Sequence, residues 1–410
     1  MTKKDFLPII LGSDENAYGI ARAFHEKYGV ISEILTKQVY VPCRYSKIIN
    51  INLIENLDKE EIFIKNIIKT AEEKNKEYEK LILVPCADYY LEHISKNSAV
   101  IEKYFCNKFI PGALLQKFAT KEKFYEICGQ YALPFPKTVI CEKKDRYNIL
   151  DTLPFDFPVV VKAANSNSYD YLHSSFDGKK KVFFVNTKEE YINIINSMET
   201  SSYEGNLIIQ EFIFGDDTRE RTLNCYSDNS GKVRLMCLGQ PVIEDYTPLG
   251  LGNYAAVMTD YNSEIFDKIK KFLEDIKYTG FCNFDMKFDS KNGEYKFYDL
   301  NPRQGRSSFF VTAAGYNLAE FLADCCVYNK NFDTVYAKAD RLWLSVPKKI
   351  IFDYVENADV LERVKKLIKE KKYAYTLLYK KDMNIKRFLM MKLYYRKHIK
   401  NYKKYFFKKF

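Results

Sequence analysis

The stretch FDMKFDSKNGEYKFYDLNPRQGR, residues 284–306, gathers side chains that can hold a metal ion and phosphate. Alternation with period two puts Cys282, Phe284, Met286 and Phe288 on one face of a strand and Asn283, Asp285 and Lys287 on the other. The same rule puts Asp299 and Asn301 together on the next strand, and a fold symmetric about a turn near Asn292-Gly293 sets Asp285 opposite Asp299. Two facing carboxylates destabilise a sheet unless a divalent ion bridges them. Asp285, Asp299 and the Asn301 amide oxygen are hard donors suited to Mg²⁺ carrying nucleotide phosphates. Arg303 and Arg306 follow within five residues of Asn301 and set cationic forks beside that ion, as phosphoryl transfer requires. The plain alternative is a solvated hairpin whose acids face water.

A hairpin of this kind needs a frame. FLPIILG (6–12) and LILVPCA (81–87) are apolar runs ending in small or polar residues, and 16–28 and 60–75 carry charges at helical spacing. Together they predict an open α/β domain over residues 1–115. Its first turn, Gly12 to Gly19, lacks the GxGxxG fingerprint, which argues against a dinucleotide there. A second unit starts near Gln116 with a helix over 120–131, and LPFPKTVI then leads through two prolines into a strand. Strands are predicted at 158–163, 180–185, 207–213, 221–226, 232–238, 280–288 and 294–301, with helices at 187–198, 262–276 and 317–328.

Composition narrows the chemistry. A chain of 410 residues, 47% hydrophobic, is long enough for two or three cores. Its ten cysteines form no CxxC pair and only four histidines accompany them, so no zinc site is expected and the scattered thiols suit a reducing cytoplasm. The first apolar run is broken by Gly12 and Asp14, unlike a signal peptide or a membrane span. The net charge of +10 resides in residues 381–410, where eleven Lys or Arg meet the single acid Asp382; the rest of the chain is neutral. A neutral body offers no groove for specific nucleic-acid binding. No Ser-His-Asp constellation and no GxxxxGK[ST] loop is present, so catalysis through a side-chain nucleophile is not expected.

The D-x-N that closes the second strand, the acid on its partner and the trailing arginine resemble the metal and phosphate apparatus of the ATP-grasp carboxylate-amine ligases. DFPVVVKAANS is similar to the strand carrying that family's ATP-binding lysine, here Lys162, and KKKVFFV to the next lid strand, with Lys181 as a second contact. IIQEFIFGDD resembles the hinge between lid and base, which implies Gln210 and the backbone near Ile213 against adenine and Asp217 on the ribose hydroxyls. Lys121 in TKEKFYEIC matches the lysine that opens the unit, with Lys123 as the alternative register. The lid loop NSNSYDYLHSSFDG has serines where many relatives have glycines over the phosphates. Within the family, LGSDENAYGIAR, PCRYSKI, YTGFCNFDMK, RQGRSSFFVT and RLWLSVPKK resemble the D-aspartate ligases that build the peptidoglycan crossbridge.

The resemblance implies an ATP-grasp fold: an open α/β domain (1–115), a linker and lid (116–210), a mixed-sheet base (211–350) and a basic helical extension (351–410). It implies ATP and Mg²⁺, with the β-carboxylate of D-aspartate activated as an acyl phosphate and joined to the lysine amine of a UDP-muramoyl-pentapeptide. Arg221, Arg303 and Arg306 are the expected forks for the acid substrate, with Arg219 as the alternative to Arg221. A different amino acid or a soluble amine, or a non-catalytic ATP-binding regulator, are the competing readings. In the tail, Leu389, Met390, Met391, Leu393, Tyr394 and Tyr395 are expected to form an apolar stripe beside a cationic one. That tail is read as a peripheral contact with the anionic inner face of the membrane, as a guide for the UDP-linked precursor, or as a helix packed on the body.

Overall fold

Three sheets succeed one another along the chain. The computed structural model describes residues 3–118, 120–164, 169–248 and 250–408. In the first sheet β1 (Lys4–Leu11), β2 (Ser32–Thr36), β3 (Ile49–Leu53) and β4 (Tyr78–Pro85) run parallel in the order β3-β2-β1-β4. The run in β1 is apolar throughout because it is covered on both faces: Leu7, Ile9 and Leu11 enter one core, Phe6 and Ile10 another.

The second sheet is antiparallel, from β5 (Thr138–Cys141), β6 (Val159–Ala163), β7 (Phe183–Val185) and β8 (Leu207–Glu211), in the order β5-β8-β6-β7. Val159, Val161, Ala163 and Ile209 pack under Tyr191, Ile195 and Met198 of the helix Lys188–Glu199. The alternate positions Lys162 and Gln210 therefore emerge on the opposite face.

The third sheet holds β9 (Glu220–Ser227), β10 (Val233–Glu244), β11 (Tyr254–Asp260), β12 (Gly280–Asp289), β13 (Glu294–Asn301), β14 (Val335–Tyr336), β15 (Leu342–Leu344) and β16 (Tyr373–Tyr375). Its order is β13-β12-β9-β10-β11-β15-β16, with β14 beside β10. Leu223 and Cys225 of β9 and Cys282, Phe284 and Met286 of β12 share a core with Ile265, Phe266, Ile269, Phe272 and Leu273 of the helix Ser263–Asp275. The other face of β9, β12 and β13 is left for chemistry.

Asp285 faces Asp299 and Asn283 faces Asn301. The turn alone does not produce that pairing. Near the turn Asp289 faces Glu294 and Met286 faces Phe297, a register that would bring Asp285 opposite Tyr298; a bulge between Asp285 and Met286 moves it on to Asp299. Bulges re-aim side chains in this way.

Residues 351–410 pack back onto the rest of the molecule, the arrangement that the packed-helix reading expects. β16 adds a strand beside β15, and the helix Ile385–Tyr405 folds back over the molecule. The fully buried Asp382 accepts from Tyr18 Oη at 2.7 Å and Ser46 Oγ at 2.8 Å, and Arg387 donates to the carbonyls of Pro42 and Arg44 at 2.8 and 2.9 Å. At the other end Tyr402 donates to the Glu244 carbonyl. The tail thus ties the first domain to the base. The expected single apolar stripe is divided: Met391 faces the body, Tyr394 and Tyr395 are half-buried, and Leu389 and Leu393 point outward. Helical spacing explains this, since Leu389 and Leu393 lie on one side of the helix and Met391 on the other. Among the described residues no helix is long and apolar enough to cross a membrane.

Candidate active site

A cleft of about 530 Å³ opens where the C-terminal end of β4, the lid and the β12–β13 hairpin meet, and Lys121, Lys181, Asp285, Asp299, Asn301, Arg303 and Arg306 all line it. Asn301 Nδ2 donates to Asn283 Oδ1 at 3.1 Å and to Asp285 Oδ2 at 3.4 Å, while Asn283 is held by Thr222 at 2.6 Å. Asp285 Oδ1 is buried without a hydrogen-bond partner among the described residues. Burial and the charge of Asp299 push the Asp285 carboxyl up to about 7. Asp299 behaves oppositely: its burial opposes ionisation, but Lys121, Lys181 and Lys162 outweigh it and hold the carboxyl below its ordinary value. An orphaned carboxylate oxygen beside a second carboxylate and an amide oxygen is a donor set for a hard divalent cation, and Mg²⁺ fits it.

The lysines come from three parts of the chain, Lys181 from the bend just ahead of β7. Lys121 starts the helix Lys121–Gln130, whose N-terminus Thr120 caps, and it pairs with Asp299 Oδ1 at 2.8 Å. Of the two candidate registers, Lys121 lines the cleft and Lys123 does not. Lys162 is buried and donates to Gln210 Oε1 at 2.5 Å. Burial and the neighbouring Lys121 and Lys181 hold its ammonium well below the ordinary lysine value, with Asp299 acting against them. Gln210 in turn donates from Nε2 to Tyr125 Oη at 2.8 Å and Thr138 Oγ1 at 2.7 Å. Its amide is thereby engaged with Lys162, Tyr125 and Thr138.

Ile213 follows β8 in the hinge; its side chain is buried, and among the described residues its own N–H and C=O have no backbone partner. Asp217 does not line the cleft. Its carboxylate accepts from the Glu244 N–H at 2.9 Å and from Tyr246 Oη at 3.0 Å, and it belongs with Glu220 and Glu244 to a buried group whose ligand atoms lie within 4.8 Å of one another. Tyr254 and Tyr298 donate to Glu220, and the Gly252 N–H donates to Glu244. The serine loop falls partly on residues 165–168, outside the described residues; beyond it, Ser174 donates to the Tyr171 carbonyl at 2.8 Å.

Two of the three expected arginines reach the cleft. Arg303 forks onto Asp88 at 2.7 and 3.2 Å, and Arg306 pairs with Asp245 at 3.3 Å. Arg221 is a correction. It stands opposite Met286 in the β9–β12 ladder and so shares the parity of Leu223 and Cys225, on the face away from the cleft. There its Nε pairs with Asp260 at 2.5 Å, and it lines a separate pocket of about 460 Å³ together with the alternative candidate, Arg219.

Sequence reasoning missed the acids beside these arginines: Asp88 and Asp245, which pair with them, and Asp14, which feels their charge. Asp14 caps the first helix, its side chain accepting from the Ala17 N–H at 3.0 Å, and Asp88 begins the helix after β4. β1 and β4 are neighbours, so both acids lie beyond the carboxyl ends of adjacent parallel strands, where open α/β sheets bind ligands. That position was a usable signal. Tyr394 and His398 of the C-terminal helix also come to Arg306 and Asp245, and no local pattern announces it.

No protein-family model matches the chain. It is 44% identical to the D-aspartate ligase of Enterococcus faecium (strain Aus0004), over 98% of this chain and 97% of that one. In fold it is similar to the L-amino acid ligase from Bacillus licheniformis, with a TM-score of 0.55 and 13% identity over 81% of this chain and 76% of that one. It is likewise similar to N5-carboxyaminoimidazole synthetase from Staphylococcus aureus complexed with ADP, with a TM-score of 0.58 and 14% identity over 83% and 82% of the two chains. Full-length identity with the first and the shared architecture of the others agree with the cleft's chemistry: the chain belongs to the D-aspartate ligase family, carbon–nitrogen ligases built on the ATP-grasp fold.

Proposed function

We propose that the protein activates the β-carboxylate of D-aspartate with ATP and joins it to the lysine side-chain amine of a UDP-muramoyl-pentapeptide. The observation that carries the reading is the orphaned Asp285 oxygen, set against Asp299 and Asn301 in the same cleft as Arg303 and Arg306. Asp285, Asp299 and Asn301 would hold Mg²⁺, which when bound neutralises charge on the phosphate oxygens. Lys121, Lys162 and Lys181 bring positive charge to the same phosphates, and the hinge backbone at Ile213, whose N–H and C=O have no backbone partner among the described residues, offers them to the adenine edge. Asp217 would hold the ribose hydroxyls on the strength of the resemblance, although its carboxylate lies in a buried acid group outside the cleft lining. Arg303 and Arg306, fixed by Asp88 and Asp245, orient the two carboxylates of the acid substrate.

In the reaction a carboxylate oxygen attacks the γ-phosphorus, the bond to ADP breaks, and an acyl phosphate forms. The amine then attacks the acyl carbon, the C–O bond to phosphate breaks, and the ammonium proton is released. One ATP is consumed for each amide, and no side chain becomes covalently bound. The same reading sets the enzyme in the cytoplasm, at the inner face of the membrane.

The test replaces the amine with hydroxylamine and measures ADP and aspartyl hydroxamate. ADP release that requires D-aspartate and yields the β-hydroxamate is expected. Equal rates with L-aspartate, or a preference for a neutral amino acid, would return the protein to a broader amino-acid ligase. ADP release with no acid at all would count against it as a ligase assay.

A further inference from the structure

The C-terminal helix Ile385–Tyr405 turns one side to the protein and presents the other to solvent. Arg387, Met391, His398 and Tyr402 are its buried residues, and at about 100° per residue they fall within one narrow arc. On the opposite side Ile385, Leu389 and Leu393 are 81%, 55% and 65% exposed, and Phe388 on the margin is 46% exposed. Their spacing of four residues makes a continuous outward row. Lys386, Lys392, Arg396, Lys397, Lys400 and Lys403 are exposed on the same side, and the helix contains no acid. Where the helix begins, Asn384 Nδ2 donates to the backbone carbonyl of Tyr45, itself an exposed residue, at 2.7 Å.

Large apolar side chains on a protein surface usually occur singly. Here they form a row set among cations. A nucleic acid would neutralise the cations and leave the aliphatic row without a partner. A second copy of this helix would bring like charges together. An anionic bilayer satisfies both features: the aliphatic side chains enter the interface while the lysine heads stay at the level of the lipid phosphates. We infer that this outer face of the C-terminal helix docks on an anionic lipid surface, with the helix lying in the plane of the bilayer. The inference deepens the inner-face part of the proposed function, and it concerns residues away from the cleft, so that catalysis is read separately.

The experiment is flotation of the full chain with vesicles rich in phosphatidylglycerol and with vesicles of phosphatidylcholine alone, across a salt series. Binding to the anionic vesicles that weakens with salt is expected, with little binding to phosphatidylcholine. The combined substitution Ile385→Ser, Leu389→Ser and Leu393→Ser keeps every charge and should weaken binding on the order of tenfold or more. Lys392→Glu with Arg396→Glu keeps the aliphatic row and should abolish the preference for anionic vesicles. Both variants touch exposed side chains, so thermal unfolding and D-aspartate-dependent ADP release in solution should match the parent. Unchanged vesicle binding by the serine variant overturns the inference, as does equal affinity for both lipid compositions. So does dimerisation that depends on the row, or competition by nucleic acid that the serine variant does not alter. Loss of ADP release in the parent itself would instead refute the ligase reading and leave the flotation result standing.

Discussion

Among the described residues the buried Asp285 Oδ1 has no hydrogen-bond partner, which favours the proposed metal site over a solvated hairpin. Replacing the facing acid, Asp299→Asn, should lower ADP release by a factor on the order of 100 or more while the thermal midpoint stays near that of the parent. The arginines divide in a way that kinetics can read. Arg306→Lys should raise KM for aspartate, because a guanidinium fork is lost from the cleft, whereas Arg221→Gln should leave KM within about twofold and act only on stability. Gln210→Leu removes the acceptor of buried Lys162 and should cost about 1–3 kcal/mol of stability, measured by denaturant unfolding, together with a higher KM for ATP. The outward placing of Asp285, Asp299 and Asn301 was legible because period two is a local property, whereas the facing of the two acids depends on a bulge that the alternation does not announce. The partners of Gln210 were not legible, since Tyr125, Thr138 and Lys162 arrive from three different elements.

Elements decide which of these side chains meet. The β12–β13 bulge turns a register that would oppose Asp285 to Tyr298 into one that opposes it to Asp299, and nothing in the alternation of either strand signals it. Arg221 shows the reverse situation: its parity with Leu223 and Cys225 is written in ERTLNCYS, and it was enough to place the residue on the face away from the cleft. The C-terminal helix carries a pH dependence. Burial pushes His398 from 6.5 down to about 4, with Arg306 and Lys397 acting in the same direction and Asp245 against them. The folded value lies below the unfolded one, so the neutral ring stabilises the fold. That contribution is complete above about 6.5 and is lost as the pH falls towards about 4. It amounts to at most about 3 kcal/mol. Urea midpoints measured across this window should fall with acidification in the parent, and His398→Gln should flatten the slope.

The molecule as a whole is closed by contacts that span almost its entire length. Tyr18 reaches Asp382, and Asp382 pairs with Arg387, both fully buried. Breaking that pair with Asp382→Ala should destabilise the protein by roughly 3–5 kcal/mol in denaturant unfolding, since a buried guanidinium is left without its counter-charge. Deleting residues 384–410 would likewise remove Arg387, Met391 and Tyr402 from the interior, which is why point substitutions on the outer face are the sound test of lipid docking. The strands and helices with a clear periodicity of their own were readable, such as β1, β4, β12 and β13, while β2, β3, β11, β15 and β16 were not expected from the sequence. The contacts of the tail were not readable either, because partners more than 300 residues apart leave no mark on a local pattern. The central claim, aspartyl transfer driven by ATP, is tested most directly by mass spectrometry of the protein with ATP, D-aspartate and a lysine-containing UDP-muramoyl-pentapeptide. A precursor heavier by one aspartyl residue, joined through its β-carboxyl to the lysine amine with one ADP formed for each, is the predicted result; an unmodified precursor with no D-aspartate-dependent ADP would contradict it.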